Sequence, residues 1–381
     1  MSDMWVNMGP QHPMTHGLWN LRVKVDGELV TDAVPELGYL HRGIEKICEY
    51  RRYNEVVTLM DRTCYVAGLA WEQLYLMASE QALGVEVPER AEYIRVMCQE
   101  LQRLASHLMW FAAFVMDVGL MAPFGYGMRD RDVILDLFQS FTGARMTYEY
   151  MRVGGVRNDV PVGFTDRCRK VMGWLEQRIK DYEDLCDRSD IFLKRCIDVG
   201  VLKAQDCIRN GITGPMLRSA GVARDLRRDR PYSAYPELDF QVAVHDAADV
   251  YGRYRVRMEE MRQSIFIVRQ TLDHLDRKPG RVIAEKVPRF VGTPSPPPGQ
   301  ESYIVRRGYP KGVGFSAMEE PHGEALAYVV NEGGEQPYRV KFRSPVMVNI
   351  CAVRDYLVGY RVSDIPAIMG SIDVCVGESD R

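Results

Sequence analysis

The stretch Leu40-His41-Arg42-Gly43-Ile44-Glu45-Lys46-Ile47-Cys48-Glu49-Tyr50-Arg51 carries more information than any other in this chain. Two acids, Glu45 and Glu49, and four bases, His41, Arg42, Lys46 and Arg51, share these twelve residues with few apolar side chains. That is too much charge for a core segment. The pattern is also too ordered for a disordered tail, in which like charges come in blocks. A second dense block precedes it, Gly9-Pro10-Gln11-His12-Pro13-Met14-Thr15-His16-Gly17. Its prolines and glycines place His12 and His16 on a loop. The i,i+4 spacing of the two histidines would suit metal ligands on a helix, but Pro13 argues against that helix.

Outward from these blocks, bulk properties bound the answer. A chain of 381 residues can bury a large core. Hydrophobic residues make up 46% and charged residues 27%, as in an ordinary folded protein. A net charge of −3 advertises no nucleic-acid or anionic-membrane surface. The nine cysteines are scattered and the start of the chain is not signal-like, so a reducing cytoplasmic setting is expected. The most apolar run, Leu108 to Met116, is broken by Asp117 and is short of the about 20 residues a membrane helix needs.

The expected fold class is mainly α with small β pieces at both ends, an α+β arrangement. Trp19 to Val34 alternate around Asp26-Gly27, a hairpin signal. From Pro35 to about Asp276 the pattern is helical. One helix should start at Pro88-Glu89 and carry Ile94, Met97, Cys98, Leu101, Leu104, Ala105, Leu108 and Ala112 inward. Another, from Ala247 to Leu275, has a stripe of Val250, Tyr254, Met258, Met261, Ile265, Val268 and Leu272, with its arginines and glutamates elsewhere. The Pro-rich run Gly292 to Gly299 reads as a stiff connector. Beyond it, 325–330 and 338–342 flank Gly333-Gly334 as a second hairpin, and a short helix is expected around Asp364 to Met369. We expect a single domain over 1–381: loop and hairpin to 34, helical body 35–287, then connector, hairpin and tail.

There is no Rossmann glycine fingerprint, no P-loop and no Cys-x-x-Cys. The chain should therefore bind no dinucleotide, iron–sulfur cluster or structural zinc of its own, and no metal site is expected. Any electrons must reach it from another protein of an assembly. The methionines read as core packing, His107 as a satisfied core or interface histidine, and Arg224, Arg227, Arg228 and Arg230 as a solvated face.

Both opening blocks resemble the signatures of the 49-kilodalton subunit family of respiratory complex I, the D-type component of NADH-quinone oxidoreductase. The resemblance continues through Arg90 to Val96, Glu100 to Leu108, Arg152-Val153-Gly154-Gly155-Val156, Gly211 to Arg218, Pro337 to Lys341 and Gly370 to Asp373. It implies a fold similar to the large subunit of nickel–iron hydrogenases, with a quinone cavity in place of the metal centre. It also implies a small B-type partner that carries a four-iron (4Fe-4S) cluster, peripheral C-type and I-type neighbours, and an H-type membrane partner. The chain would then sit peripherally on the cytoplasmic face of the cell membrane, and NAD would enter only indirectly, through the complex. NADH is the default donor; reduced F420 or ferredoxin serves in relatives lacking the NADH module.

In that family a histidine and a tyrosine line the quinone head-group end, matching His16 and Tyr65. An aspartate pairing with the histidine matches Asp117, and an arginine near the partner's cluster matches Arg62. The chemistry suits them. A phenol stays protonated at neutral pH and can donate to a quinone carbonyl, while an imidazole beside a carboxylate can hold a proton for transfer. Read without the resemblance, Tyr65 is a half-buried aromatic, Asp117 a helix-end residue before Gly119, and Arg62 a partner in a surface ion pair.

The chain departs from the family pattern twice. Thr147-Tyr148 stand where a histidine pair is common, so the adjacent cluster should have a lower, less pH-dependent potential. Cys64 and Cys375 match the first cysteine of each hydrogenase Cys-x-x-Cys pair, but the second positions are Ala67 and Glu378, a poor set for a four-thiolate centre. A hydrogenase-like large subunit and a catalytically silent scaffold of the same fold remain the alternatives.

Overall fold

The computed structural model describes residues 4–10, 17–287 and 310–381. His12, His16 and the Pro-rich run 292–299 lie outside the described residues.

The first sheet has three antiparallel strands, β1 (Met4–Met8), β2 (Asn20–Asp26) and β3 (Leu29–Glu36), in that order. The expected β2–β3 hairpin turns at Gly27, whose φ of 62° explains the glycine. Leu21, Val23 and Val25 of β2 face the core.

The helical body opens with α1 (Ile44–Cys48), α2 (Tyr53–Thr63), α3 (Gly68–Leu83), α4 (Glu89–Val118) and α5 (Met121–Thr142). The helix α4 starts where expected, after Pro88, with Glu89 and Glu92 in its first turn complementing the helix dipole. It stops at Gly119, whose left-handed backbone lets the Gly119 and Leu120 amides return to Met116 and Val115. A small ribbon, β4 (Met151–Arg152) with β5 (Gly155–Val156), precedes α6 (Phe164–Asp187) and α7 (Asp190–Cys196). Three short helices follow, α8 (Ala204–Asn210), α9 (Pro215–Arg218) and α10 (Leu226–Asp229), then the long α11 (Val250–Arg277), capped by the Asp249 carboxylate on Gly252 N at 2.7 Å.

In space α4 is central, packed by α5, α11 and later α14 (Ile365–Ile372). It is buried nearly all round, and so are the polar positions between its expected apolar ones. Arg95 makes a two-pronged pair with Glu80 at 2.6 and 2.9 Å. His107, expected to be a satisfied core histidine, is buried with Nε2 2.8 Å from Glu260, while its Nδ1 makes no hydrogen bond.

Two expectations need correction. The arginines and glutamates of α11 are not all outside, because Arg253, Arg257 and Glu260 are fully buried. Nor is the Arg224–Arg230 group simply solvated. Arg224 is exposed, but Arg227 is buried between Asp225 (2.7 Å) and Glu100 (3.1 Å). Buried charges persist where opposite charges and hydrogen bonds replace water, and Glu100 comes from an element far away in sequence.

The C-terminal sheet has a strand more than expected. The hairpin of β7 (Gly323–Asn331) and β8 (Arg339–Arg343) is joined on its other edge by β6 (Gly312–Glu320). The helices α12 (Pro345–Cys351) and α13 (Val353–Leu357), then α14 and α15 (Val376–Asp380), complete the chain. One hydrophobic cluster runs from Met8 to Val376.

Candidate functional site

The charged stretch 40–51 ties distant segments together. Glu45 accepts from Lys341 Nζ at 2.9 Å and from Phe342 N at 3.0 Å, while Glu49 pairs with Arg339 at 2.9 Å. Arg42 donates to Arg62 O at 2.6 Å and to Gly377 O at 3.0 Å. The Asp380 carboxylate accepts from Gly38 N and Leu40 N at 3.0 and 2.8 Å. Thus α15 is held against the end of α2. The approach is so close that a Cβ on Gly377 would stand 2.7 Å from Thr63 O.

Tyr65 lies at that junction, in the turn between α2 and α3, shortly before the first residue of α3. Gln102 of α4 fixes the turn by donating to Val66 O at 2.6 Å. Half of the Tyr65 side chain faces solvent, its relative exposure being 49%. Desolvation and then the neighbouring Cys375, Cys64 and Asp373 push its phenol pKa upward, so the hydroxyl keeps its proton.

Beneath the turn lies a buried polar cluster, a chamber only in being enclosed by the surrounding core. Cys64 and Cys375 contact each other, and burial followed by Cys375 raises the Cys64 thiol well above its ordinary value. His322, in the two-residue turn between β6 and β7, presents Nδ1 to Glu320 at 3.0 Å and to Glu378 at 3.2 Å. Its Nε2 faces Asp373 at 3.5 Å. Burial opposes charge on this imidazole, but Glu320, Asp373 and Glu378 outweigh it and raise its pKa well above the usual value. Glu320 is pushed up to about 7 by burial and by Glu378, with His322 opposing. Cys64, His322 and Glu378 are all buried, and their donor atoms lie within 4.8 Å of one another. The sequence reading passed over His322, although its flanking acids Glu319, Glu320 and Glu324 were a visible signal.

The other site residues sit around this junction or apart from it. Arg62, at the end of α2, is exposed and pairs with Glu149 at 3.0 Å. Asp61 and Glu72 hydrogen-bond each other, and burial raises both pKa values. They also receive the Glu149 and Met151 amides at 2.8 and 2.7 Å, fixing a segment whose Thr147 and Glu149 have positive φ. Tyr148 of that segment is buried against Phe138. Asp117 is half-buried one residue before the end of α4. His16, expected to pair with it, lies outside the described residues. A four-thiolate nickel–iron centre does not fit this chamber, because Ala67 and Glu378 stand at the two remaining ligand positions.

Known proteins agree with this architecture. The family model "Respiratory-chain NADH dehydrogenase, 49 Kd subunit" matches residues 117–381, and "Nickel-dependent hydrogenase" matches 42–116. The D-type component of the NADH-quinone oxidoreductase of Geotalea uraniireducens is 43% identical, covering 99% of this chain and 98% of its own. That of Bacillus cytotoxicus is 38% identical with the same coverage. Among solved structures, a chain of the membrane-bound sulfane sulfur reductase, an archaeal respiratory membrane complex, superposes with a TM-score of 0.90. It is 33% identical, over 100% of this chain and 98% of that one. A helical body with a small sheet at each end, matched over its full length, places this chain in the 49-kilodalton subunit family of respiratory-chain NADH dehydrogenase.

Proposed function

We propose that this chain forms the quinone-reducing site of a complex I-like, proton-pumping oxidoreductase and works only in the assembled complex. The observation that carries this reading is the Tyr65 phenol, partly open to solvent and set against the buried cluster of Cys64, Cys375, His322 and Asp373. A quinone accepts two electrons and two protons to become a quinol. The electrons would come from a 4Fe-4S cluster on a small B-type partner, beside Arg62. This chain supplies no redox centre; it orients the acceptor and delivers protons.

In this reading Tyr65 donates a hydrogen bond to one carbonyl oxygen, and His16, backed by Asp117, binds the other and releases a proton to it as negative charge develops. The fixed charge of Arg62 would favour the reduced cluster. The hydrogen-bonded acids Asp61 and Glu72, with Glu149 paired to Arg62, are titratable groups beside Thr147-Tyr148, where the family commonly carries a histidine pair. Peripheral C-type and I-type partners and an H-type membrane partner would complete the complex, with NADH as donor by default and reduced F420 or ferredoxin in complexes lacking that module. Among the described residues no helix is long and apolar enough to cross a membrane, so attachment to its cytoplasmic face would run through the partners.

The test is Tyr65→Phe in the assembled complex. Quinone reduction should fall about a hundredfold, the lower range for losing a positioned proton donor, while electron transfer from the donor to ferricyanide stays normal. Unchanged quinone turnover would mark the chain as a scaffold. Reduction of polysulfide without any quinone reduction would instead favour the chemistry of the sulfane sulfur reductase.

A further inference from the structure

We propose that Cys64, His322 and Glu378 form a binding site for a single divalent transition-metal ion of the zinc class, with the Cys375 thiol next to Cys64. The inference stands apart from the quinone reading, and neither needs the other.

The donors come from three separate parts of the fold: the α2–α3 turn, the β6–β7 turn and α15. Their potential ligand atoms already lie within 4.8 Å of one another. Neighbouring ligands on a tetrahedral zinc ion, bonded at 2.0–2.3 Å, are about 3.3–3.8 Å apart, so closing on an ion needs side-chain shifts of about 1 Å. The separation of His322 Nδ1 from Glu378 Oε2 is already 3.2 Å. One sulfur, one imidazole and one carboxylate, with a second sulfur adjacent, make a borderline-soft set suited to zinc rather than to calcium or magnesium.

An ion-pair cluster alone accounts poorly for this chamber. Three carboxylates, Glu320, Asp373 and Glu378, surround one imidazole, and among the described residues Arg257 comes no closer than 3.9 Å to Asp373. Glu378 Oε2, Asp373 Oδ2 and His322 Nε2 are buried and make no well-aligned hydrogen bond, although the two carboxylate oxygens face the imidazole nitrogens at 3.2 and 3.5 Å. Buried polar atoms of native proteins are seldom left so. A divalent ion would satisfy Glu378 and an imidazole nitrogen together, leaving a carboxylate to orient the ring from behind, as metal-bound histidines require. The exchange balances in charge: the ion enters while the Cys64 thiol proton and the imidazolium proton leave to solvent. The donors differ from a nickel–iron ligand set, since a histidine and a glutamate stand in for two thiolates.

The probe is zinc(II) added to the purified full chain, with retained metal measured by mass spectrometry after dialysis. A single zinc ion per chain is expected. Affinity should fall by well over about a hundredfold in Cys64→Ser and in His322→Gln, beyond the roughly 10–100-fold typical of outer-shell partners. Cys351→Ser, which alters an exposed cysteine elsewhere, should leave zinc binding unchanged. Cobalt(II) in place of zinc should give a thiolate-to-metal charge-transfer band that Cys64→Ser abolishes. The proposal is overturned by failure of the wild-type chain to retain zinc, by full retention in the Cys64→Ser/His322→Gln double variant, or by a Cys64–Cys375 disulfide in the chain as isolated. Should the variants fail to fold, the wild-type cobalt spectrum still decides, because a bound ion without the thiolate band refutes the site.

Discussion

Asp225 is fully buried, with Oδ2 2.7 Å from Arg227 Nη2 and 3.9 Å from Arg218 Nη1. Burial by itself would raise its pKa, but Arg227 and then Arg218 prevail and hold it at about 2, against 3.8 ordinarily. A carboxylate whose folded pKa is depressed stabilises the fold above its unfolded pKa. That contribution, roughly 2 kcal/mol here, is lost as pH falls from near 4 towards about 2. Urea midpoints should therefore drop across this window, and more steeply in wild type than in Asp225→Asn. Equal slopes for the two proteins would show that Asp225 does not carry the effect. The same residue shows where sequence reading stops. A run of arginines reads as solvated unless one knows that Glu100, from α4, arrives to neutralise Arg227.

At the scale of elements, β6 shows how closely sheet and helix meet. A Cβ on Gly314 would stand 1.7 Å from Ala78 O of α3, and one on Gly312 would stand 2.4 Å from Ala82 O. The strand lies directly on the helix backbone, and only glycine leaves the room. Gly314→Ala should thus destabilise the chain by roughly 3 kcal/mol or more, the upper range for overpacking, read as a lower thermal midpoint. A midpoint within a degree of wild type would mean that β6 does not rest on α3 this way. The β2–β3 and β7–β8 hairpins were legible because Asp26-Gly27 and Gly333-Gly334 punctuate alternating runs. The partner strand β6 was not, since its glycines and terminal Glu319-Glu320 resemble a loop. Those acids are nevertheless buried, with Glu319 on Arg218 at 2.6 Å and Glu320 on His322 at 3.0 Å.

At the scale of the whole molecule, the chain is closed by its charged stretch. Arg42 joins the end of α2 to α15 through two carbonyls, and Asp380 returns the tail to Gly38 and Leu40. Arg42→Ala should loosen the tail by about 1 kcal/mol, the usual net worth of a hydrogen bond. Hydrogen exchange should then be about fivefold faster at residues 376–380 and unchanged in α4. Uniform acceleration throughout the chain would show that Arg42 serves global stability instead. Because α15 also delivers Glu378, this closure shapes the chamber under Tyr65.

Fold class, the long helices, two hairpins and the family were legible along the chain, because periodicity, turn residues and dense motifs are written locally. The sequence also pointed to Tyr65 and Arg62, through their setting in a motif. The resemblance had already aligned Cys64, Cys375 and Glu378 with one ligand set, but that His322 and Asp373 join them, and that Arg227, Arg257 and Glu260 lie inside, came from the folded molecule. Cys64 and His322 are separated by most of the chain, and neither spacing nor hydropathy records which distant charges will meet. Burial turns such meetings into chemistry, because low polarity amplifies each charge and leaves no water to screen it.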